Sequence, residues 1–382
     1  MVRLPFKGGR PSPSLKLSDS VYRARNMLLN LKKKFERDPN LKTAYKNGIQ
    51  DYKTSNHMML HGSLPDKLNN YEGFFLPHHG VLKENSTTTK LRTVFNGSRK
   101  LRSGISLNDL LHAGPNSLPH QPDLICRWRR YRYVFSADIE KMIRKIKVHL
   151  PLLVILIFLI VVLSFGLVCS PYIANRCVKQ LAIEHADFHP LGADVAVDEI
   201  YMDDVCSGGH TMEETNKKLH ETYEMFALGG FPLRKWVSNH PALLKNLPKN
   251  VLADEPFALR DASCGTSILG LYWLPTDDKF CYKITETETL SKITKRAILS
   301  RIARIFDPMG WIAPIVVLAK MLMRELWVSK TGWDEPVNSE CLRLWRNSET
   351  QLPNINEIEV PRWNGFSLTL QKALTEPLCI RG

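Results

Sequence analysis

Apolar residues along this chain keep two different rhythms, and each predicts its own kind of element. From Asp19 to Tyr52 the spacing is helical: Leu28, Leu29 and Leu31 form an apolar side against a strongly basic one, and Asp38-Pro39-Asn40 marks a turn. Residues 71–98 read instead as β structure, with 80–83 and 91–95 flanking a polar turn as a hairpin that carries Lys83, Lys90 and Arg92. Tyr133, Val134 and Phe135 predict a strand that delivers Asp138 at its end, followed by a helical pattern over 139–146. Residues 197–209, VDEIYMDDVCSGG, place Asp203 and Asp204 between two short apolar flanks, a strand-turn-strand pattern. The helix after it starts on a capping box, Thr211 with Glu214, and stops at Gly229-Gly230. Residues 266–275, TSILGLYWLP, predict another strand, and 289–327 are mainly helical, broken by DPMGWIAP.

One stretch keeps neither rhythm. Residues 150–169, LPLLVILIFLIVVLSFGLVC, carry no charge and have the length of a transmembrane helix. Arg144, Lys145 and Lys147 lie just before it and would hold its N-terminal side in the cytoplasm. A buried pair of strands, or a decayed or mispredicted coding segment, are the other readings of the same residues.

Composition narrows the class. The 382 residues are 44% apolar and 24% charged, which is globular rather than disordered. Lys and Arg total 52 against 38 Asp and Glu, and a formal charge of +14 favours a polyanionic partner, nucleic acid first and an anionic membrane second. The eight cysteines form no C-x-x-C pair, which excludes a zinc knuckle and fits reduced intracellular thiols. The N-terminus has no apolar signal-peptide core.

The chemistry converges on three carboxylates. A hairpin turn is the plain reading of Asp203-Asp204, and a helix N-cap is the plain reading of Asp138. Taken together with the basic hairpin, they are also the donor set that two-metal phosphoryl transfer requires, since Mg²⁺ prefers hard oxygen ligands. YMDD, Tyr201 to Asp204, resembles the catalytic box of reverse transcriptases. The stretches FFLPHHGVLKENSTTTKLRTVFNGS, SGISLNDLLHAGP, VFSADIEKM, GGFPLRKWVSN, ILGLYW and IFDPMGWIAPIVVLAKMLMRELW resemble the polymerase of Pao/BEL-type long-terminal-repeat retrotransposons.

That resemblance implies an α+β right-hand polymerase with fingers, a ferredoxin-like palm and a helical thumb. The implied division is a flexible segment at 1–18, a helical region at 19–70, fingers at 71–130, a palm at 131–275, thumb and connection helices at 276–365, and a tail at 366–382. It implies that Asp138, Asp203 and Asp204 hold two Mg²⁺ ions and catalyse addition of dNTPs to a primer 3′-hydroxyl on an RNA or DNA template. Lys83, Arg92, Ile143, Phe165, Gly166, Tyr201, Met202 and Lys235 correspond to nucleotide-side positions. Leu269, Gly270, Tyr272 and Trp273 correspond to the primer grip, and Lys292, Lys295, Arg296, Arg301 and Arg304 to a thumb helix on the template-primer backbone. The setting implied is a cytoplasmic retroelement particle.

The chain departs from that pattern in three places. The apolar run stands where the palm is normally polar, so the palm is expected to be incomplete and Asp138 to be held away from Asp203 and Asp204. Ile143 stands where the family has an aromatic residue against the ribose 2′-hydroxyl. No protease motif, zinc knuckle, integrase region or RNase H carboxylate set is evident. A catalytically dead fragment that still binds nucleic acid, or a protein anchored through residues 150–169, are the alternative functions.

Overall fold

The computed structural model describes residues 1–8, 18–60, 74–82, 91–149, 153–155, 158–254, 266–284 and 292–365. In chain order the helices are α1 (Ser18–Arg37), α2 (Pro39–Thr54), α3 (Leu107–Leu110), α4 (Gln121–Arg130), α5 (Ser170–His185), α6 (Pro190–Asp198), α7 (Met212–Leu228), α8 (Lys295–Ile302), α9 (Ala313–Val328) and α10 (Ser339–Gln351). The strands are β1 (Met58–Leu60), β2 (Phe74–Phe75), β3 (His78–Leu82), β4 (Leu91–Phe95), β5 (Tyr133–Ile139), β6 (Leu153–Ile155), β7 (Phe158–Ile160), β8 (Ile200–Tyr201), β9 (Asp204–Gly209), β10 (Leu233–Ser238), β11 (Thr266–Ile268), β12 (Leu271–Leu274), β13 (Lys279–Cys281) and β14 (Glu359–Pro361). They form two compact units. One comprises Met1–Leu118, Glu140–Ile183 and Gly229–Phe231, the other Pro119–Ile139, Glu184–Leu228 and Pro232–Gly382.

In the first unit, Asp38 ends one helix and starts the next. Its carboxylate accepts from the Leu41 N–H at 2.9 Å, and Pro39 fits the first turn of α2, where no N–H is needed. Leu31 and Phe35 of α1 pack with Leu41, Tyr45 and Ile49 of α2 and with Leu91 of β4. The hairpin expected around residues 80–95 is present as antiparallel β3 and β4, with Gly80 opposite Thr93. Its polar turn, with Lys83 and Lys90, lies outside the described residues, as does the tail at 366–382.

The membrane-spanning reading of residues 150–169 is corrected here. Within that run the described residues include the short strands β6 and β7, followed by turns, and no described helix is long and apolar enough to cross a membrane. The sheet order is β1-β7-β6-β2, with Met58 opposite Ile160 and β2 parallel to β6. Val154, Ile155 and Ile160 are β-branched, stiff at χ1 and suited to extended backbone. Ile160, Val162 and Leu163 are buried in this unit, so the apolar run supplies core. A second expectation also changes: residues 139–146 contain only a short 3₁₀ turn, Met142–Lys145.

The second unit is built on the sheet β10-β5-β9-β8, antiparallel throughout. Along the chain these strands alternate with helices as β-α-β-β-α-β, and the first strand lies between the third and the fourth. This is the split β-α-β connectivity of ferredoxin-like sheets. Both faces are covered, which is why the strands are apolar on both sides. The Phe135 and Trp236 rings meet in a tilted contact, centroids 5.5 Å apart, on the face that meets Tyr223 of α7. Val134, Cys206 and Val237 point the other way, onto Leu124, Ile125 and Trp128 of α4 and onto Trp273 and Phe280 of a second sheet, β11-β12-β13-β14. The helices α8, α9 and α10 share a separate core around Ile298, Leu326 and Trp345.

The single strand expected over 266–275 is two. Leu269 and Gly270 both adopt positive φ, 51° and 80°, and turn β11 back onto β12 with Ile268 opposite Leu271. Two-residue hairpins need this backbone because its twist matches that of the strands.

Candidate metal centre

The strand ladder itself assembles the three acids. Asp138, near the end of β5, lies opposite Asp204, the first residue of β9. The β8–β9 hairpin closes with Tyr201 opposite Asp204, so Met202 and Asp203 make the turn, and Met202 takes φ 55°. The Ile139 N–H donates to the Asp203 carbonyl at 2.7 Å and ties the turn to the end of β5. Carboxylate oxygens of Asp138, Asp203 and Asp204 therefore lie within 4.8 Å of one another, the one such acidic group among the described residues. The expected separation of Asp138 from the pair does not occur. The β5–β9 ladder that joins them contains no residue of the apolar run.

The electrostatics of this cluster favour a cation. Lys235 Nζ lies 3.0 Å from Asp138 Oδ2. Lys235 has φ 54° and sits in a β-bulge of β10, between the register points Arg234 and Val237. Bulges re-aim side chains in this way beside functional sites. Burial, then the adjacent charges of Asp203 and Asp138, push the Asp204 carboxyl up to about 7; the Leu269 N–H and Lys235 act in the opposite direction. The Leu269-Gly270 turn thus presents a backbone donor to Asp204. Gln121 Nε2 in turn donates to the Leu269 carbonyl. Three hard carboxylate donors, one of them desolvated and crowded by like charge, fit a divalent cation such as Mg²⁺.

The other sequence candidates divide by unit. In the second, Tyr201 is partly buried against the core and Met202 makes the turn beside the acids. Leu269 reaches Asp204 through its backbone. Trp273 is buried, its indole N–H donating to Asp278 at 3.1 Å, and Tyr272 is half-buried with Lys283 Nζ 5.7 Å from its ring. In the first unit, the Arg92 guanidinium lies 5.7 Å from the Phe165 ring, and the Phe165 carbonyl accepts from the Phe95 N–H at 3.0 Å. A Cβ on Gly166 would fall 1.8 Å from the Phe95 carbonyl oxygen, and φ is 99°, so this position admits glycine alone. Ile143 is buried there. Lys83 lies outside the described residues.

The thumb cations are mostly engaged at home. Arg296 makes a two-pronged contact with Asp334 at 2.8 and 3.0 Å, Lys292 Nζ donates to the Asp334 carbonyl at 3.0 Å, and Arg301 pairs with Glu349. Arg304 is exposed. Lys295 requires a correction. It is buried, its Nζ donates to the Leu326 carbonyl at 3.3 Å, and it sits 3.5 Å from the Trp327 ring centroid. A lysine in the first turn of α8 meets the C-terminal carbonyls of α9, where the helix dipole and an aromatic face both favour a cation. It is not placed to meet a phosphate.

Sequence reasoning missed Gln121, whose amide fixes the turn beside Asp204, because nothing in QPDLICRW marks it. It also missed Arg362, buried with its guanidinium on Asp278 and on the carbonyls of Trp128, Tyr131 and Arg132.

Comparison with known proteins sets this geometry in context. A family model described as the Pao retrotransposon-like RNaseH-like domain matches residues 294–374. The match falls on the stretch assigned above to thumb and connection helices and on the first residues of the expected tail, so the expected absence of an RNase H region is not shown. No curated protein matches. Among solved structures, the foamy viral protease-reverse transcriptase in complex with double-stranded DNA is similar, with a TM-score of 0.53 and 14% identity. That likeness covers 82% of this chain and 48% of the viral one, so the chain spans about half the length of its structural relative. The mixed helix-and-sheet architecture is similar to a retroviral reverse transcriptase fold, and both matches are to proteins of retroelements.

Proposed function

We propose that this chain is a retroelement-derived RNA-directed DNA polymerase domain, with Asp138, Asp203 and Asp204 as its catalytic metal ligands. The observation that carries the reading is the convergence of the three carboxylates within 4.8 Å on a ferredoxin-like sheet. In this reading the β10-β5-β9-β8 sheet is the palm, the hairpin β3–β4 belongs to the fingers, and α8–α10 form the thumb and connection. Two bound Mg²⁺ ions would activate a primer 3′-hydroxyl and stabilise the leaving pyrophosphate. The chain's own residues set the stage for that. The β5–β9 ladder fixes Asp138 against Asp204, the Met202-Asp203 turn offers a third carboxylate, and the Leu269 N–H orients Asp204. Arg92, Phe165 and Gly166 serve the nucleotide side, and Lys83 is assigned to it by the sequence resemblance alone. Template-primer and dNTPs are the partners, in a cytoplasmic retroelement particle.

A second reading is a nucleic-acid-binding fragment that no longer polymerises. Ile143, a buried aliphatic side chain where the resemblance implies an aromatic wall against the ribose 2′-hydroxyl, bears on sugar discrimination rather than on that choice. Primer extension on an RNA template with Mg²⁺ separates the two. Extension by the parent that disappears in Asp203→Ala supports the polymerase, and no extension by either chain sinks it.

A further inference from the structure

We infer that the outer face of the α1–α2 helix pair binds single-stranded nucleic acid without any metal ion. Between residues 18 and 54 the chain has nine Lys and Arg against four Asp and Glu. Two of those acids are committed elsewhere. Asp38 caps α2, and Asp51 is held by Lys141 at 2.8 Å and Arg144 at 2.7 Å. Lys32, Lys33, Lys42 and Lys46 are exposed and lie outside the shared core of Leu31, Phe35, Leu41 and Tyr45.

Their placement is regular. On α1, Tyr22, Arg25 and Leu29 follow at three- and four-residue steps, Lys32 and Lys33 lie three and four residues beyond Leu29, and all five are exposed. On α2, Lys42, Lys46 and Lys53 are spaced by four and seven and are exposed as well. Each stripe runs over eleven residue steps, about 16 Å of helix. A row of ammonium and guanidinium groups of this length fits a sugar-phosphate backbone, whose affinity comes from displaced counterions.

Tyr22 decides which form of nucleic acid. It is 51% exposed inside the basic stripe, and the Arg102 guanidinium lies 5.1 Å from its ring centroid. An exposed aromatic among cations offers a stacking surface to an unpaired base, whereas a duplex hides its base faces. The inference does not depend on the acid cluster, since this face needs no divalent ion.

The test is fluorescence anisotropy of the full chain with a labelled oligothymidine strand and with a hairpin duplex, in EDTA, over a series of salt concentrations. Four exposed lysines are changed together in K32Q/K33Q/K42Q/K46Q, with the Lys→Arg version as a charge-preserving control. The expected result is at least a tenfold loss of single-strand affinity at low salt, a shallower slope of log affinity on log salt by up to about 3, and recovery with arginine. A loss below threefold in a folded variant overturns the inference, as does failure of arginine to restore binding. Tyr22→Ala is expected to weaken the single strand severalfold and leave the duplex unchanged; equal effects on both overturn the single-strand assignment. Binding in EDTA is read separately from primer extension, so either reading can fail alone.

Discussion

Lys235 Nζ lies 3.0 Å from Asp138 Oδ2, and a left-handed backbone at Lys235 puts it there. A non-glycine residue at positive φ costs on the order of 1 kcal/mol, so the contact has to be worth that strain. In the metal-free protein the lysine offsets part of the repulsion among Asp138, Asp203 and Asp204. It therefore opposes an incoming divalent ion at the same carboxylate. Lys235→Gln should bind Mn²⁺ more tightly, by roughly two- to fivefold given the partial exposure of the pair. Calorimetric titration measures this directly; equal or weaker Mn²⁺ binding would show that Lys235 does not compete for the site.

Asp204 links the same cluster to pH. Its carboxyl is pushed up to about 7 by burial and by the neighbouring acids. From the unfolded value near 4 up to 7, the folded chain holds a proton that the unfolded chain has released. Without divalent ion this group makes stability fall as pH rises through that window, with no further change above it. A divalent ion favours the carboxylate, so the rise in melting temperature on adding Mg²⁺ should be larger at about pH 8 than at about pH 5.5. Asp204→Asn should remove most of the Mg²⁺ effect at both pH values. A Mg²⁺ shift that is equal at both pH values in the parent would count against the raised carboxyl.

The acids were legible in the sequence because each is marked locally. Asp138 follows an apolar strand, and Asp203-Asp204 interrupt another, so strand periodicity alone brings them to strand ends. What the sequence could not convey was the ladder register that sets Asp138 opposite Asp204. For that reason the apolar run looked like an obstacle between them. Its length and hydropathy fit a membrane helix as well as they fit strands, and only pairing with Met58–Leu60 and Phe74–Phe75 separates the two. Lys295 failed for a related reason. A lysine on a basic helix reads as surface, and its burial depends on Trp327, which is thirty-two residues away in the chain. Arg362 and Gln121 carry no local signal, because their partners, the Asp278 carboxylate and backbone carbonyls, lie in distant segments.

The first unit carries its own pH-sensitive contact. His57 Nδ1 accepts from Arg144 Nε at 3.0 Å, and Arg144 stands over the Tyr52 ring at 3.8 Å. Burial, then the charge of Arg144, lowers the His57 pKa to about 4. Between that value and the unfolded one near 6.5 the unfolded chain takes up a proton that the folded chain refuses. Stability should therefore fall as pH drops from about 6.5 towards 4. Burial raises the Asp51 pKa, but hydrogen bonds from Lys141 and Arg144 outweigh it and leave it lowered, which adds loss in the same direction at still lower pH. Urea midpoints at pH 7 and pH 5 should differ in the parent and converge in His57→Gln, about those two chosen values. An unchanged difference in the variant would place the pH dependence elsewhere.

Arg362 gives the most severe single prediction. Its guanidinium donates to Asp278 Oδ1 at 2.6 Å and Oδ2 at 2.7 Å, to the Trp128 carbonyl at 2.7 Å and to the Tyr131 carbonyl at 2.8 Å. It thereby fastens the end of β14 to the last turn of α4 and to the entry of β5, the strand that delivers Asp138. Arg362→Met keeps the apolar bulk against Trp128 but leaves a carboxylate and three carbonyls, those of Trp128, Tyr131 and Arg132, short of a partner. Breaking a buried charge pair from one side costs about 3–5 kcal/mol. The variant should lose that much in denaturant unfolding. Replacing Asp278 as well, in D278N/R362M, should recover part of the loss because no uncompensated charge remains. If Arg362→Met alone costs less than about 1 kcal/mol, the guanidinium clamp is not what holds β14 in place.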